Sequence, residues 1–333
     1  MRSPSISVHF ARAVLKQTVR HGLDPITLLR KNRISPRLLL EDDARISVER
    51  FADLQVSTML ALQDESLGYA SRRMPIGSWS MMCLAVISSA TLGQALSRLC
   101  RFYQLFEFGL HPVLETVGEH THLTLQEVDD PAETGPYHSE LFLSNSQRFS
   151  NWLVQDQLPL NAVRLKYPPV AHRDEYRQVF MGNPVEFNQD SSALVFAISL
   201  LERPLMQSDS SLRHFLRHPV LFMLTQQYAA DSWTNKVREV LRPKMDRLPE
   251  LNEVAALLEL HPQTLRRRLA TEGTSFMDIK NRLRRDTALH FLGKQGLSIE
   301  EIAHRAGFSE SSAFIRAFKG WTGVTPYGYR KGL

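Results

Sequence analysis

The chain has 333 residues, of which 43% are hydrophobic and 23% are charged, and its formal net charge is +5 at pH 7. This length allows two domains with separate cores. Only two cysteines are present, which excludes a disulfide framework and makes a reducing cytoplasm the expected location. The longest apolar run, Met81 to Ile87, cannot span a bilayer, and the N-terminus lacks the apolar core of a signal peptide, so no membrane role is expected.

Positive charge is concentrated in the last third of the chain. Residues 231–333 contain 18 Lys and Arg against 12 Asp and Glu, and subtraction from the totals of 40 and 35 leaves 22 against 23 for residues 1–230. A surplus of positive charge that is confined to one region is typical of a domain that binds a polyanion.

Residues 1–205 are predicted to form an α+β domain. Helical periodicity marks residues 7–21, 48–62, 79–88, 91–106, 137–155 and 173–180. Alternation of apolar and polar residues marks strands at 113–117, 120–128, 162–167, 185–187 and 193–197. Gly118-Glu119 lies between the first two strands as a hairpin turn. We expect the strands of this domain to form an antiparallel set.

One aromatic group in this domain is a candidate effector pocket, in which arginines next to aromatic walls favour a small ligand with a carboxylate and an apolar body. The alternative is an ordinary aromatic core with surface arginines. The candidate pocket residues are Arg72, Trp79, Arg101, Tyr103 and Phe106.

Catalytic and metal sites have little support. His120 and His122 share one face of the predicted hairpin, but no cysteine or carboxylate falls at an accompanying ligand spacing, so no metal site is predicted. The chain has no G-x-S-x-G elbow, P-loop or dinucleotide fingerprint. We therefore expect neither an enzyme nor a cofactor.

Residues 206–231 are predicted to be a connecting helical segment. Ser208 and Asp209 begin a helix, which Pro219 kinks or restarts. The segment has more apolar residues than a solvent-exposed linker needs. We therefore expect it to pack against a second subunit or the preceding domain.

The last domain, residues 232–333, contains two helical pairs. In the first, residues 250–258 form an amphipathic helix and Pro262 begins a second helix. In the second, Ser298 and Glu301 form a capping box, Gly307 makes a left-handed turn, and Ser309 caps the next helix. A helix from Ser275 to Gly293 joins the pairs and is about 27–30 Å long. This all-α pattern predicts two helix-turn-helix motifs separated by a distance near the 34 Å repeat of the DNA major groove.

Residues 284–327, RRDTALHFL…SIEEIAHRAGFSESSAFIRAFKGWTGVTPY, closely resemble the signature of the AraC/XylS family of bacterial transcription regulators. The resemblance extends over residues 232–329. The first domain is similar to the family's non-cupin effector-binding domain through PVEFNQDSSALVF (184–196) followed by LLERPL (200–205).

Carried over by position, the resemblance implies that residues 262–271 and 309–319 are the recognition helices. The base contacts it implies are Gln263, Arg266, Arg267, Ser311, Ser312 and Arg316. Guanidinium groups suit this role because they can donate hydrogen bonds to O6 and N7 of one guanine at the same time. The predicted phosphate contacts are Arg268, Lys280, Arg284 and Lys319, with a structural role as the alternative for Arg268. Gly320 departs from the family, which often has a basic residue there, so a looser helix end or a lost phosphate contact is expected.

The sequence thus predicts a cytoplasmic, homodimeric regulator that binds promoter DNA and responds to a small-molecule effector. The resemblance implies activation through contact with RNA polymerase, although repression stays open. Two alternatives also stay open: an effector-independent dimeric regulator, and an enzymatic or ligand-binding first domain tethered to DNA.

Overall fold

The structure is a computed structural model that describes residues 5–106, 108–127, 136–225, 233–271, 274–293 and 296–331. The chain divides into two compact units. The sheet unit consists of Ala13–Asp24 and Gln55–Tyr228. The helical unit consists of Met1–Arg12, Pro25–Leu54 and Ala229–Leu333. An α+β region is therefore followed by a helical region, which confirms the predicted fold class.

The helices and strands have the following bounds. The helices are α1 (Val8–Leu15), α2 (Pro25–Lys31), α3 (Val48–Leu62), α4 (Ser78–Val86), α5 (Leu92–Phe106), α6 (Tyr137–Val154), α7 (Tyr176–Val179), α8 (Asp209–Phe215), α9 (Pro219–Thr225), α10 (Trp233–Leu241), α11 (Leu251–Leu257), α12 (Pro262–Thr271), α13 (Phe276–Leu292), α14 (Ile299–Arg305), α15 (Ser311–Thr322) and α16 (Pro326–Lys331). The strands are β1 (Ser5–Ser7), β2 (Arg45–Ser47), β3 (Leu110–Val117), β4 (His120–Glu127), β5 (Ala162–Arg164), β6 (Val185–Glu186) and β7 (Ser192–Ala197).

The sheet unit is built on a five-stranded sheet in the order β3-β4-β7-β5-β6. The predicted hairpin is confirmed: β3 and β4 are antiparallel, and Val117 pairs with His120 across a two-residue turn in which Gly118 has a φ of 60°. The expectation of purely antiparallel strands was wrong, because β5 and β6 are parallel. The chain between them passes through α7, and a crossover of this kind returns the second strand in the same direction.

The core of the sheet unit lies between the sheet and helices α4, α5, α6, α8 and α9. The predicted stripe of α5 is buried and consists of Leu92, Leu96, Leu99 and Tyr103. Helix α6 is buried along almost its whole length, including polar positions that normally face water. It therefore forms the centre of this unit, and its polar side chains need partners inside the protein.

The core of the helical unit surrounds α13, which contacts α10, α14, α15, α16 and both short strands. Strands β1 and β2 form an antiparallel pair in which Ile6 lies opposite Ile46. Residues far apart in the sequence thus pack on the long helix of the last domain. The predicted limits 1–205, 206–231 and 232–333 stay a prediction, and the compact units group the residues differently.

Two predicted helix limits were wrong. The helix expected over 7–21 ends at Leu15, where the Thr18 hydroxyl donates a 2.6 Å hydrogen bond to the Leu15 carbonyl and competes with further helix formation. Val19, within the predicted range but beyond this end, is 66% exposed. The second recognition helix begins at Ser311 with Glu310 as its N-cap, not Ser309, and continues past Gly320 to Thr322. Gly320 therefore does not end the helix.

Candidate nucleic-acid interface and effector site

The first helix-turn-helix consists of α11 and α12. Glu250 and Glu253 form a capping box that begins α11, and Pro262 begins α12. Leu265 and Leu269 are fully buried, which fixes the rotation of α12 about its axis. The opposite face of α12 carries the exposed side chains of Gln263, Arg266 and Arg267. The structure therefore brings the three predicted base contacts of this helix together on one exposed face.

The second helix-turn-helix consists of α14 and α15. The capping box of Ser298 and Glu301 is present, with a 3.1 Å hydrogen bond from the Glu301 amide to the Ser298 hydroxyl. Gly307 has a φ of 79°, and a Cβ at this position would lie 2.8 Å from the Met245 carbonyl oxygen. Only glycine fits this turn without displacing the backbone. The predicted turn is therefore confirmed.

Buried phenylalanines orient α15. Phe314 and Phe318 are fully buried, whereas Ser312, Arg316 and Lys319 are exposed. Ser311 is only partly exposed. Ser312 donates a 3.2 Å hydrogen bond to the Glu310 carboxylate, so this side chain already has a partner. Among the predicted base contacts of this helix, Arg316 therefore has the longest side chain exposed to solvent.

Two predicted phosphate contacts have partners within the protein. Lys280 is 3% exposed, and its ammonium donates a 2.8 Å hydrogen bond to Glu250. This hydrogen bond holds the pKa of the Glu250 carboxyl below its usual value. Arg284 donates a 3.1 Å hydrogen bond to the Gly307 carbonyl and lies 4.9 Å above the Phe308 ring. Both cations therefore have positions that suit structural roles.

The other two predicted phosphate contacts differ from each other. The guanidinium of Arg268 lies 4.1 Å from the centre of the Trp233 ring, a cation–π contact that agrees with the structural alternative. Lys319 is exposed near the end of α15, where a cation can reach a phosphate. Whether these residues contact DNA stays a prediction.

Residues from the beginning of the chain complete the helical unit. The Asp286 side chain, in α13, is 16% exposed and forms a hydrogen bond with Ser5. Burial raises the pKa of Asp286, while the positive charges of Arg285, Arg45 and Arg238 oppose the rise. Arg50 lies 5.8 Å from the centre of the Tyr329 ring in α16. Sequence patterns did not predict this arrangement, because no short-range spacing links these residues.

The aromatic residues proposed for the effector pocket are packed in the core of the sheet unit. The Tyr103 ring lies edge-on against Phe142 with 5.0 Å between centroids, and Trp79 lies against Phe149 at 5.5 Å. Phe106 is half exposed, and Arg72 and Arg101 are exposed. This packing matches the alternative of an aromatic core with surface arginines. Ligand contacts by these five residues stay a prediction that the packing does not favour.

Helix α6 contains functional candidates that the sequence reasoning missed. Glu140 accepts hydrogen bonds from the hydroxyls of Tyr167 and Tyr176, and burial raises the pKa of its carboxyl. Arg148 has carbonyl groups as its hydrogen-bond partners, and burial lowers its pKa to about 10. Buried charges are unusual unless they are paired or have a function. The available signal was the presence of polar residues on every face of a long helix that also carries large apolar residues.

A small cavity lies beside α6. Its volume is about 10 Å³, room for about one water, and most of its wall consists of leucine side chains from α5, β4, β7 and the segment after α6. Gln147 and Ser150 are its polar lining residues. Among the residues that the structure describes, no group of three or more His, Cys, Asp or Glu side chains could hold a metal ion. Within the same ranges no helix is long and apolar enough to cross a membrane.

Comparison with known proteins identifies both regions. Residues 22–205 match the profile of the arabinose-binding domain of AraC transcription regulators, and residues 254–332 match that of a helix-turn-helix domain. The ornithine utilization regulator of Pseudomonas aeruginosa is 28% identical over 98% of this chain and 96% of its own length. The transcriptional regulator VirS of Mycobacterium tuberculosis is 26% identical over 93% of this chain and 91% of its own length.

Among solved structures, the transcriptional regulator CdpR from Pseudomonas aeruginosa covers 92% of this chain and 96% of its own, with 22% identity and a TM-score of 0.35. The first matched profile alone covers more than half of the chain. The relatives are transcriptional regulators, not enzymes. The chain belongs to the AraC family of DNA-binding transcription regulators, with an effector-binding domain followed by a helix-turn-helix domain.

Proposed function

We propose that this regulator is a cytoplasmic homodimer that activates promoters in response to a small molecule, through contact with RNA polymerase. The observation that carries the proposal is the pair of exposed faces on α12 and α15, the second helices of two helix-turn-helix motifs that the 17-residue helix α13 joins. Both faces carry exposed guanidinium groups, which are those of Arg266 and Arg267 on α12 and of Arg316 on α15.

The two faces have different roles in this proposal. The α12 face reads bases through Gln263, Arg266 and Arg267, because two adjacent guanidiniums and an amide can bond guanine and adenine edges. The α15 face contributes Arg316, with Ser311 and Ser312 as shorter contacts, and therefore specifies fewer bases. Lys319 binds phosphate. Lys280 and Arg284 support the two motifs, since their charged groups have partners inside the unit.

The small-molecule response rests on the family's effector-binding domain and on the name of the Pseudomonas aeruginosa relative, which links that regulator to the use of a metabolite. An effector acts only if it binds one arrangement of the protein better than another. A homodimer would place four recognition helices on DNA, which favours an operator with two half-sites.

The test begins with selection of bound sequences from random DNA by the full-length chain. We expect one recurring sequence, affinity that falls steeply with salt because counterions are released, and a two-to-one ratio of protein to operator. Transcription in vitro with RNA polymerase on a promoter carrying that sequence should rise when the protein is added. Recovery of no preferred sequence would contradict base reading, and a fall in transcription would contradict activation.

A further inference from the structure

Helix α15, the second helix of the second helix-turn-helix, carries a large apolar side chain that faces solvent. Ile315 is 38% exposed, whereas Phe314 before it and Phe318 on the next turn are fully buried. A single exposed isoleucine is ordinary on a protein surface, because much of that surface is apolar. Ile315 differs from an ordinary case in the residues that surround it.

Ile315 lies among the predicted DNA contacts of α15. Residues three and four positions apart are neighbours on the surface of an α-helix, so Ile315 adjoins Ser311 and Ser312 on the preceding turn and Lys319 on the following turn. Viewed along the helix axis, it lies between Ser311, roughly 40° away, and Arg316, roughly 100° away on the other side. A face that presents Ser311, Ser312 and Arg316 to base edges therefore includes Ile315.

The other residues of this face leave Ile315 a prominent position. Ser311 and Ser312 have short side chains, and the Ser312 hydroxyl already donates a 3.2 Å hydrogen bond to the Glu310 carboxylate. Ile315 and Arg316 are therefore the two large side chains on the part of α15 that is predicted to contact bases. A β-branched side chain in a helix has one strongly preferred χ1 angle, so Ile315 loses little conformational freedom when it contacts a partner.

The chemistry of the major groove determines which base an isoleucine can favour. The base edges there present hydrogen-bond donors and acceptors, and thymine alone among the four bases adds an apolar group, its C5 methyl. An isoleucine packed against an amino or carbonyl group would remove water from that group without replacing its hydrogen bond. Packed against the methyl group, the same side chain buries apolar surface on both partners.

We propose that Ile315 is a specificity-determining residue of the second helix-turn-helix and that it contacts the C5 methyl group of one thymine in each half-site. The inference rests on the proposed base reading by α15, to which it adds one operator position and the identity of the base there. Arg316 and Ile315 then act by different means, since the guanidinium donates hydrogen bonds and the isoleucine makes an apolar contact.

Removal of one methyl group from the DNA provides the test, because deoxyuridine differs from thymidine only by that group. The probe is the sequence that the full-length chain selects from random DNA, with each thymine replaced in turn by uracil, and fluorescence anisotropy measures its affinity. We expect uracil at one position of each half-site to weaken binding about three- to tenfold, the value of one buried methyl-sized group. At that position 5-methylcytosine should bind more tightly than cytosine by a similar factor.

Variants assign the methyl contact to a residue. Ile315→Ala should bind the unmodified operator about three- to tenfold more weakly and should bind the uracil probe no more weakly than that, because the partner of the methyl group is gone. Alanine favours a helix, so the melting temperature should hardly change. Ile315→Val keeps a branched side chain and should retain most of the response to uracil. Met277→Ala, which truncates an exposed apolar residue of α13, is the matched control and should respond to uracil as the parent protein does.

Three outcomes would overturn the inference. These are equal binding of the operator and all uracil probes by the parent protein, an undiminished uracil effect in Ile315→Ala, and equal losses of affinity by Ile315→Ala for operator and random DNA. The uracil and 5-methylcytosine probes test the parent protein directly, so they decide the matter even if a variant does not fold. Selection of an operator that is insensitive to uracil contradicts only the role of Ile315, whereas selection of no preferred sequence contradicts the proposed function as well.

Discussion

Arg148 Nη1 donates a 2.9 Å hydrogen bond to the carbonyl oxygen of Met223, which joins the central helix α6 to α9. Its Nη2 donates to the carbonyls of Gln178 and Val179, both at 3.1 Å. The guanidinium therefore satisfies three carbonyls from two other parts of the sheet unit. Helix α9 lies in the predicted connecting segment, so this part of the segment is bound to the sheet unit by a specific buried cation.

Replacement of Arg148 by methionine should lower the free energy of unfolding by roughly 1–3 kcal/mol, because the buried Met223 carbonyl and the partly buried carbonyls of Gln178 and Val179 lose their donor. Urea unfolding of the full-length chain measures the change. The control is Arg203→Met, which removes a 2.9 Å ion pair with Asp156 whose side chains are both about half exposed. A loss below about 1 kcal/mol is expected there. Equal losses in the two variants would show that burial of Arg148 has no special role.

Glu140→Gln should change the pH dependence of stability. Because burial raises the pKa of the Glu140 carboxyl in the folded state, its stabilising contribution is complete below the ordinary value of 4.5 and is lost as the pH rises through the raised pKa. Glutamine keeps an acceptor for Tyr167 and Tyr176 but cannot ionise. The variant should match the parent protein at pH 4 and exceed it at pH 8, by about 1.4 kcal/mol for each unit of the rise.

Urea unfolding at both pH values measures this difference. Glu202→Gln is the control for the loss of one carboxylate, since Glu202 is an exposed residue of the same unit. If Glu140→Gln is less stable than the parent protein at pH 8, the carboxylate is a stabilising charge and the stated cause of the pH dependence is wrong.

Arg266→Ala should weaken binding to the selected operator by roughly 1–3 kcal/mol and relax the base preference at one or two positions. Its side chain lies on the exposed face of α12, where it has solvent around it. Lys280→Ala is the matched comparison from the same unit. We expect it to lower the free energy of unfolding, because Glu250 loses its buried partner, and to leave the affinity of the folded protein for operator nearly unchanged.

Fluorescence anisotropy with operator and with random DNA distinguishes these effects. The Arg266→Ala variant should lose affinity mainly for operator. Equal losses on both DNAs would assign Arg266 to phosphate, and a large loss of operator affinity in folded Lys280→Ala would restore the original phosphate prediction for that lysine.

Two glycines of the second helix-turn-helix should respond to alanine in opposite directions. Gly307→Ala places a Cβ 2.8 Å from the Met245 carbonyl at a φ of 79°, so we expect a loss of roughly 1–3 kcal/mol in stability. Gly320 lies inside α15, and a Cβ there would have no atom within 4 Å. Gly320→Ala should add about 0.5–1 kcal/mol. Thermal unfolding of both variants tests the signs, and destabilisation by Gly320→Ala would contradict the contact geometry.

Local patterns were sufficient for much of the fold. The capping box at Ser298, the turn at Gly307 and the hairpin at Gly118 each involve residues within a few positions of one another, and all three were predicted. The buried stripe of α5 follows from its helical period. Helix ends were less certain, because side-chain competition such as that of Thr18 is decided by single hydrogen bonds.

The candidate sites depended on contacts that no spacing encodes. Arg284 has the appearance of a free surface cation in the sequence, but its partners are the carbonyl of Gly307 and the ring of Phe308, more than twenty residues away. The aromatic residues near Tyr103 resembled a pocket because composition does not reveal whether rings fill a space or line it. Glu140 and Arg148 were overlooked because a polar residue in a helix is ordinarily assigned to the solvated side.

The hydrogen bond between Ser5 and Asp286 has a consequence for synthesis of the protein. The ribosome makes Ser5 first and reaches Asp286 roughly 280 residues later, which at 5–20 residues per second is a delay of roughly 15–55 s. During that interval β1 and β2 have no α13 to cover them, and their buried surface is open to chaperones. A translation product that stops before Phe276 lacks α13, and it also lacks α14 and α15, which form the second helix-turn-helix.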